Sequence, residues 1–190
     1  PMVRELGHVN GLLIILTARA NTLERWRRLP DAIRDLEEAL EIARESGRIP
    51  SVAWIQVNLA TDHMRAGDVR RSRDYVEQAG ETLGSIDNDH HRLHLLRCWS
   101  NLELFLRRWD AAEERIEAGL ALDASDPELL FKKIQLACRR MQPEQARKLL
   151  DAKRDAITRL PDPQTQRAAA VIEADVLLCE GRAAEATAAI

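Results

Sequence analysis

The stretch Arg108-Trp109-Asp110-Ala111-Ala112-Glu113-Glu114, continued by Gly119-Leu120-Ala121-Leu122-Asp123, decides how the chain is read. Steps of forty residues back from Ala112 reach Ser72 and Ala32; steps of thirty-four and then forty forward reach Ala146 and Ala186. Every stop is a small residue. Four residues beyond each stop stand Leu36, Val76, Ile116, Leu150 and Ile190, all branched aliphatics. Seven beyond the first three stand Ala39, Ala79 and Gly119, while the fourth has Lys153. Twelve before the stops stand Ala20, Ala60, Ser100, Ile134 and Ala174, where Ile134 alone is large. Small residues at fixed places on two helices let their backbones approach to ~8–10 Å. The aliphatic one turn further fills the gap to the neighbouring pair. A hairpin of this kind cannot bury its apolar face alone, so hairpins must stack.

Composition supports a helical reading. Apolar residues are 45% of the 190, enough for a core, and aromatics only 4%. Gly and Pro, at 8 and 7, are too few for the frequent turns of an all-β chain. Lys plus Arg is 28 against 31 Asp plus Glu, a net charge of −3, which argues against a generic polyanion binder. The longest uncharged stretches, residues 6–18 and 49–61, are 13 residues each, short of the ~20 that a bilayer span needs; no membrane association is expected. Cys98, Cys138 and Cys179 lie about forty residues apart without a C-x-x-C. Neither a disulfide framework nor a zinc site is expected, and reduced thiols suit a cytoplasmic protein.

Punctuation follows the columns. Asp31 to Arg44 carries Ile33, Leu36, Leu40 and Ile42 at helical spacing. Pro30-Asp31, Gly67-Asp68, Pro143-Glu144 and Gly181 mark the starts of second helices. Longer breaks are expected after the second helices, at 46–50, 84–88, 123–127 and 160–163. The runs Ala66-Gly67-Asp68-Val69-Arg70-Arg71-Ser72, 108–123 and Glu180-Gly181-Arg182-Ala183-Ala184-Glu185-Ala186 resemble tetratricopeptide repeats. The resemblance covers residues 12–190 and implies one domain: an all-α, right-handed superhelical solenoid of about five antiparallel helix pairs, at approximately 12–46, 51–84, 91–123, 127–159 and 164–190. The forty-residue period is similar to the longer-helix variety of bacterial signalling proteins. Arg19, at a place where the family has an aliphatic, departs from the pattern, as do Ile134 and Lys153. The array stops at Ile190 without a polar capping helix, so the chain is expected to be a fragment of a longer protein.

No phosphate-binding or catalytic signature is present; an enzyme, a cofactor and a metal site are not expected. His94 and Cys98 are four apart and share a helix face. They lack an orienting carboxylate, and His90, His91 and His94 read as a solvated helix start. Arginines gather at the turns within pairs: 25, 27 and 28; 65, 70 and 71; 107 and 108; 139 and 140. Nucleic acid is one reading. The plainer one, given more weight, is charge complementing the ends of first helices.

What the resemblance implies instead is a concave face, lined by first helices, that grips a peptide or a partner domain, including one of the same chain. The columns put Ile14, Thr17 and Asn21 there, then Trp54, Val57, Asn58, Thr61 and Arg65. His94, Arg97, Asn101, Leu104 and Phe105 follow, then Phe131 and Gln135. From these the partner-binding residues are taken to be Asn21, Trp54, Asn58, Arg65, Arg97, Asn101, Phe105 and Phe131. Amides hydrogen-bond an extended backbone, Arg forks onto carboxylates and aromatics supply anchor area. The expected function is a protein–protein interaction scaffold. The alternative is a ligand-sensing or regulatory module of a STAND-type transcription regulator, or of a larger enzyme such as a protease or kinase.

Overall fold

The computed structural model describes residues 9–85, 87–158 and 163–189, without the side chains of 153–158 and 163–165. Ile190, Lys153 and the break at 160–162 lie outside these descriptions. All regular structure among the described residues is α-helical. The helices are α1 (Val9–Arg25), α2 (Leu29–Glu45), α3 (Ile49–Arg65), α4 (Val69–Gly84) and α5 (Asp89–Phe105). They continue as α6 (Trp109–Leu122), α7 (Pro127–Arg139), α8 (Pro143–Thr158), α9 (Pro163–Cys179) and α10 (Ala183–Ala188). The chain divides into two compact units, Pro1–Leu102 and Glu103–Ile190.

The helix lengths explain the period. Helices α1, α2, α3 and α5 have 17 residues each, and α4 has 16. With turns of three or four residues between them, first helices begin at 9, 49 and 89. In the first unit α1 packs on α2, α2 on α3 and α3 on α4. In the second, α6 packs on α7, α7 on α8, α9 on both α7 and α8, and α10 on α9.

The small-residue columns are the interior. Ala32, Ser72, Ala112, Ala146 and Ala186, their partners Ala20, Ala60, Ser100 and Ala174, and the aliphatics Leu36, Val76, Ile116 and Leu150 are all 4% exposed or less. In the first unit they join Leu13, Leu16, Leu40, Val52, Ile55 and Leu59. In the second, Ile134, Ala146 and Leu150 pack with Phe131, Ile172 and Val176. Arg19 keeps its place by reaching outward: Nε and Nη2 donate to Asp35 at 2.5 and 2.7 Å.

Six of the turns share one geometry. Arg27, Gly47, Gly67, Arg107, Met141 and Gly181 have φ of 61, 66, 85, 58, 57 and 79°. In each, the N–H of this residue and of the next donate back to the preceding helix, as Gly67 to Met64 O (3.0 Å) and Asp68 to His63 O (2.8 Å). This is the Schellman closure, which satisfies the last carbonyls of the helix. The break expected at 46–50 is one of these three-residue turns. Ile49 and Pro50 already belong to α3, because proline fits the first turn of a helix, where no N–H is needed. A side chain in the left-handed region costs about 1–2 kcal/mol, and glycine's extra unfolded freedom offsets roughly half of that. Met141 is 74% exposed, so no packing is lost on substitution. Met141→Gly should therefore raise the free energy of unfolding by about 0.5–1 kcal/mol, read from the urea midpoint; a fall would contradict the assignment.

Candidate partner-binding face

The face lies in the first unit, on α1, α3 and α5. A forty-residue step superposes Ile14, Trp54 and His94 in one column and Asn21, Thr61 and Asn101 in another. Along α3, Trp54, Asn58, Thr61 and Arg65 follow at spacings of four, three and four, so they share one side of the helix. The result is an apolar and aromatic row beside an amide and hydroxyl row. Ile14 is 66% exposed and Trp54 half-buried.

Trp54 is fixed by histidines. His94 stacks on the indole at 4.3 Å between ring centroids and 26° between planes. His90 stacks at 5.8 Å and 10°, and His91 meets the ring edge-on at 5.6 Å and 82°. His94 Nε2 lies 3.3 Å from Asn58 Oδ1, which fits a neutral ring donating from Nε2. Asn58 thus presents its Nδ2 hydrogens, for which no protein acceptor stands among the described residues. One turn on, the Thr61 hydroxyl donates to Val57 O at 3.0 Å. Cys98 Sγ sits 3.4 Å from that hydroxyl and 3.8 Å from the same carbonyl. Asn101 Nδ2 donates to Met64 Sδ at 3.8 Å. Arg65 forms an ion pair with Glu24, so its charge is spent on joining α3 to α1.

Burial pushes the His91 imidazole below its ordinary pKa, and the neighbouring His90 adds to this. The three histidines thus line Trp54, His91 and His94 half-buried against it and His90 stacking on it from an exposed place in the first turn of α5. Sequence reasoning missed this contact, although the forty-residue step from Trp54 to His94 holds the signal. No group of three or more His, Cys, Asp or Glu among the described residues is placed to hold a metal ion. No helix among them is long and apolar enough to cross a membrane.

The expected binding residues divide by place. Asn21 and Asn101 are exposed, while Asn58, Trp54 and Arg97 are half-buried, all in the first unit. Phe105 belongs to the second unit and is 61% exposed at the end of α5. Phe131 is a correction. It is 8% exposed and packs with Ile134, Ala137 and Ile172, so its ring fills the core of the second unit instead of facing a partner.

About half of the turn arginines are matched by acids. Arg28 and Arg34 converge on Asp31. Arg71 pairs with Asp68, and Arg140 reaches Asp110 and Glu113 at 2.6 and 2.7 Å. Arg147 and Arg182 both bind Glu180, holding its carboxyl well below the usual range, at about 2.

No family model matches the chain, and no curated protein does either. Solved structures do. A kinesin light chain-like protein of nearly identical TPR-like repeats from Podosopora anserina superposes with a TM-score of 0.71, over 93% of this chain and 90% of its own, at 17% identity. A tetratricopeptide repeat protein from Parabacteroides merdae gives 0.58, over 94% and 77%, at 16% identity. YrrB, described as a TPR protein with an unusual peptide-binding site, gives 0.53, over 91% and 85%, at 16% identity.

Proposed function

For a chain with the tetratricopeptide-repeat fold, we propose the work of a protein-interaction scaffold, binding a peptide or a segment of a partner along the α1–α3–α5 face of the first unit. The observation that carries this is the double row: Ile14, Trp54 and His94 beside Asn21, Thr61 and Asn101, with the Asn58 amide between. An apolar side chain of the partner rests on Ile14 and the open part of Trp54, and its backbone carbonyls take the amide hydrogens. The stacked histidines hold the indole in one orientation, which lowers the ordering cost of binding. YrrB, which has the same fold, is described as having a peptide-binding site. A regulatory module, in a transcription regulator or a larger enzyme, would use the same face to hold a segment of its own chain.

The test begins with peptides selected from a random display library on the full chain. Isothermal titration of a selected peptide should show Trp54→Ala weakening binding by ~2 kcal/mol or more, as an anchor does. Asn58→Ala should weaken it by about 1 kcal/mol. Unchanged affinity with an unchanged melting midpoint would reject the face.

A further inference from the structure

The turns of the first unit carry cations that its ion pairs do not use. The Glu24–Arg65 pair joins the end of α1 to the end of α3, so the turns at 26–28 and 66–68 are neighbours. The acids at this edge are taken: Glu24 by Arg65, Asp31 by Arg28 and Arg34, and Asp68 by Arg71. Arg25, Arg27 and Arg70 are exposed and have no carboxylate within ion-pair distance among the described residues. Trp26, flanked in the chain by Arg25 and Arg27, is 68% exposed, with no ring or cation against its indole among the described residues. The second unit shows the alternative. There Arg107 lies over the Trp109 ring at 5.7 Å, Arg108 faces Glu103 at 3.8 Å, and Arg140 and Arg182 are both paired. Arg139 is exposed and without an ion pair among the described residues, but the other turn guanidinium groups there are satisfied internally, whereas this edge leaves an exposed indole beside three unpaired ones.

We propose that this edge, centred on Trp26, is a docking surface for an acidic polypeptide segment. An apolar side chain of the segment covers the indole, and flanking carboxylates accept from Arg25, Arg27 and Arg70. Tryptophan and arginine are the residue types that dominate binding energy at interfaces, and the guanidinium fork matches a carboxylate in two parallel hydrogen bonds. Charge complementarity points to a carboxylate-bearing chain over a nucleic acid. A single exposed ring cannot provide the repeated stacking that single strands use. The edge borders the α1–α3–α5 face at Arg65, but Trp26, Arg27 and Arg70 are not among the residues assigned to that face, so substitutions there and at Asn58 test the two independently.

Fluorescence anisotropy of the full chain decides it. The probe is a short fluorescein-labelled glutamate-rich peptide with a central leucine, and labelled oligothymidylate is the comparison. The peptide should bind saturably in low salt. Trp26→Ala, and separately Arg27→Glu with Arg70→Glu, should each weaken it about tenfold or more, with helical content unchanged. Asn58→Ala, on the other face, should leave it unaffected. Absence of saturable peptide binding, equal binding by the variants, or tighter binding of oligothymidylate would overturn the proposal.

Discussion

Replacing Asp62 by asparagine is expected to make the protein more stable at pH 7, by about 3 kcal/mol. Asp62 lies near the end of α3, 4% exposed, and its carboxylate has no hydrogen-bond or ion-pair partner among the described residues. Burial raises its pKa from 3.8 to about 6. Between those values the folded chain binds more protons than the unfolded one, so stability falls as pH rises through that window. Above it the whole cost of a buried charge is present, about 1.4 kcal/mol for each unit of the rise from 3.8 to about 6. Asparagine carries no such charge. The gain should be complete at pH 7 and should vanish near pH 4, as read from urea midpoints of both proteins at both values. Equal gains at the two pH values would show that something other than ionisation separates them.

The histidines act in the opposite sense, which is why the comparison uses a difference. His63, beside Asp62, is 3% exposed and stacks on Tyr75 at 5.5 Å. Its Nε2 is buried without a partner, and burial holds its pKa below the ordinary value. A group of this kind stays neutral when folded and takes up its proton more readily when unfolded. Stability is therefore lost as pH falls through the ordinary histidine range. His91 contributes in the same direction. Both effects are common to the parent and the Asp62→Asn protein and cancel between them.

The other large effect is steric. Ala112 has no exposed surface, and α6 also buries Ile116 and Gly119 on that side. Leucine there adds three carbons where neighbouring helices touch. Packed interiors relax only in part, and overpacking costs ~1–3 kcal/mol. Ala32 and Ser72 in the first unit, and Ala146 in the second, are equally closed. Each should respond alike, while Ala18, which is exposed on α1, should tolerate leucine.

These columns were legible because a repeat writes the same burial pattern several times. A small residue that recurs every forty positions betrays a constraint that a single alanine does not. The helix ends were less legible. Arg27, Arg107 and Met141 occupy left-handed positions that sequence marks only when glycine stands there, as it does at 47, 67 and 181. Hydrogen bonds to the helix end compensate the strain, and no side-chain type reports them. Phe131 was misplaced because a first helix turns one face to its own hairpin and another to its neighbours. Counted back from the small-residue stops, Phe131 stands in the column of Val57 and Arg97, and that column turns inward at α3 as well, where Val57 is 1% exposed. The lining of Trp54 was missed for another reason. His90 and His91 precede His94 by less than one full register, so they seem unrelated to Trp54 until α5 is laid along α3. Asp62 could not be foreseen at all, since an acid on a helix rim is normally solvated.

The claim beneath all of this is that slim side chains in register let helices nest within each unit. Its most direct measurement is a leucine scan of Ala32, Ser72, Ala112 and Ala146, with Ala18→Leu as the exposed control, followed by urea unfolding. The account predicts a loss of ~1–3 kcal/mol at each of the four and less than about 0.5 at the control. Leucine accepted at the four positions as easily as at Ala18 would contradict it.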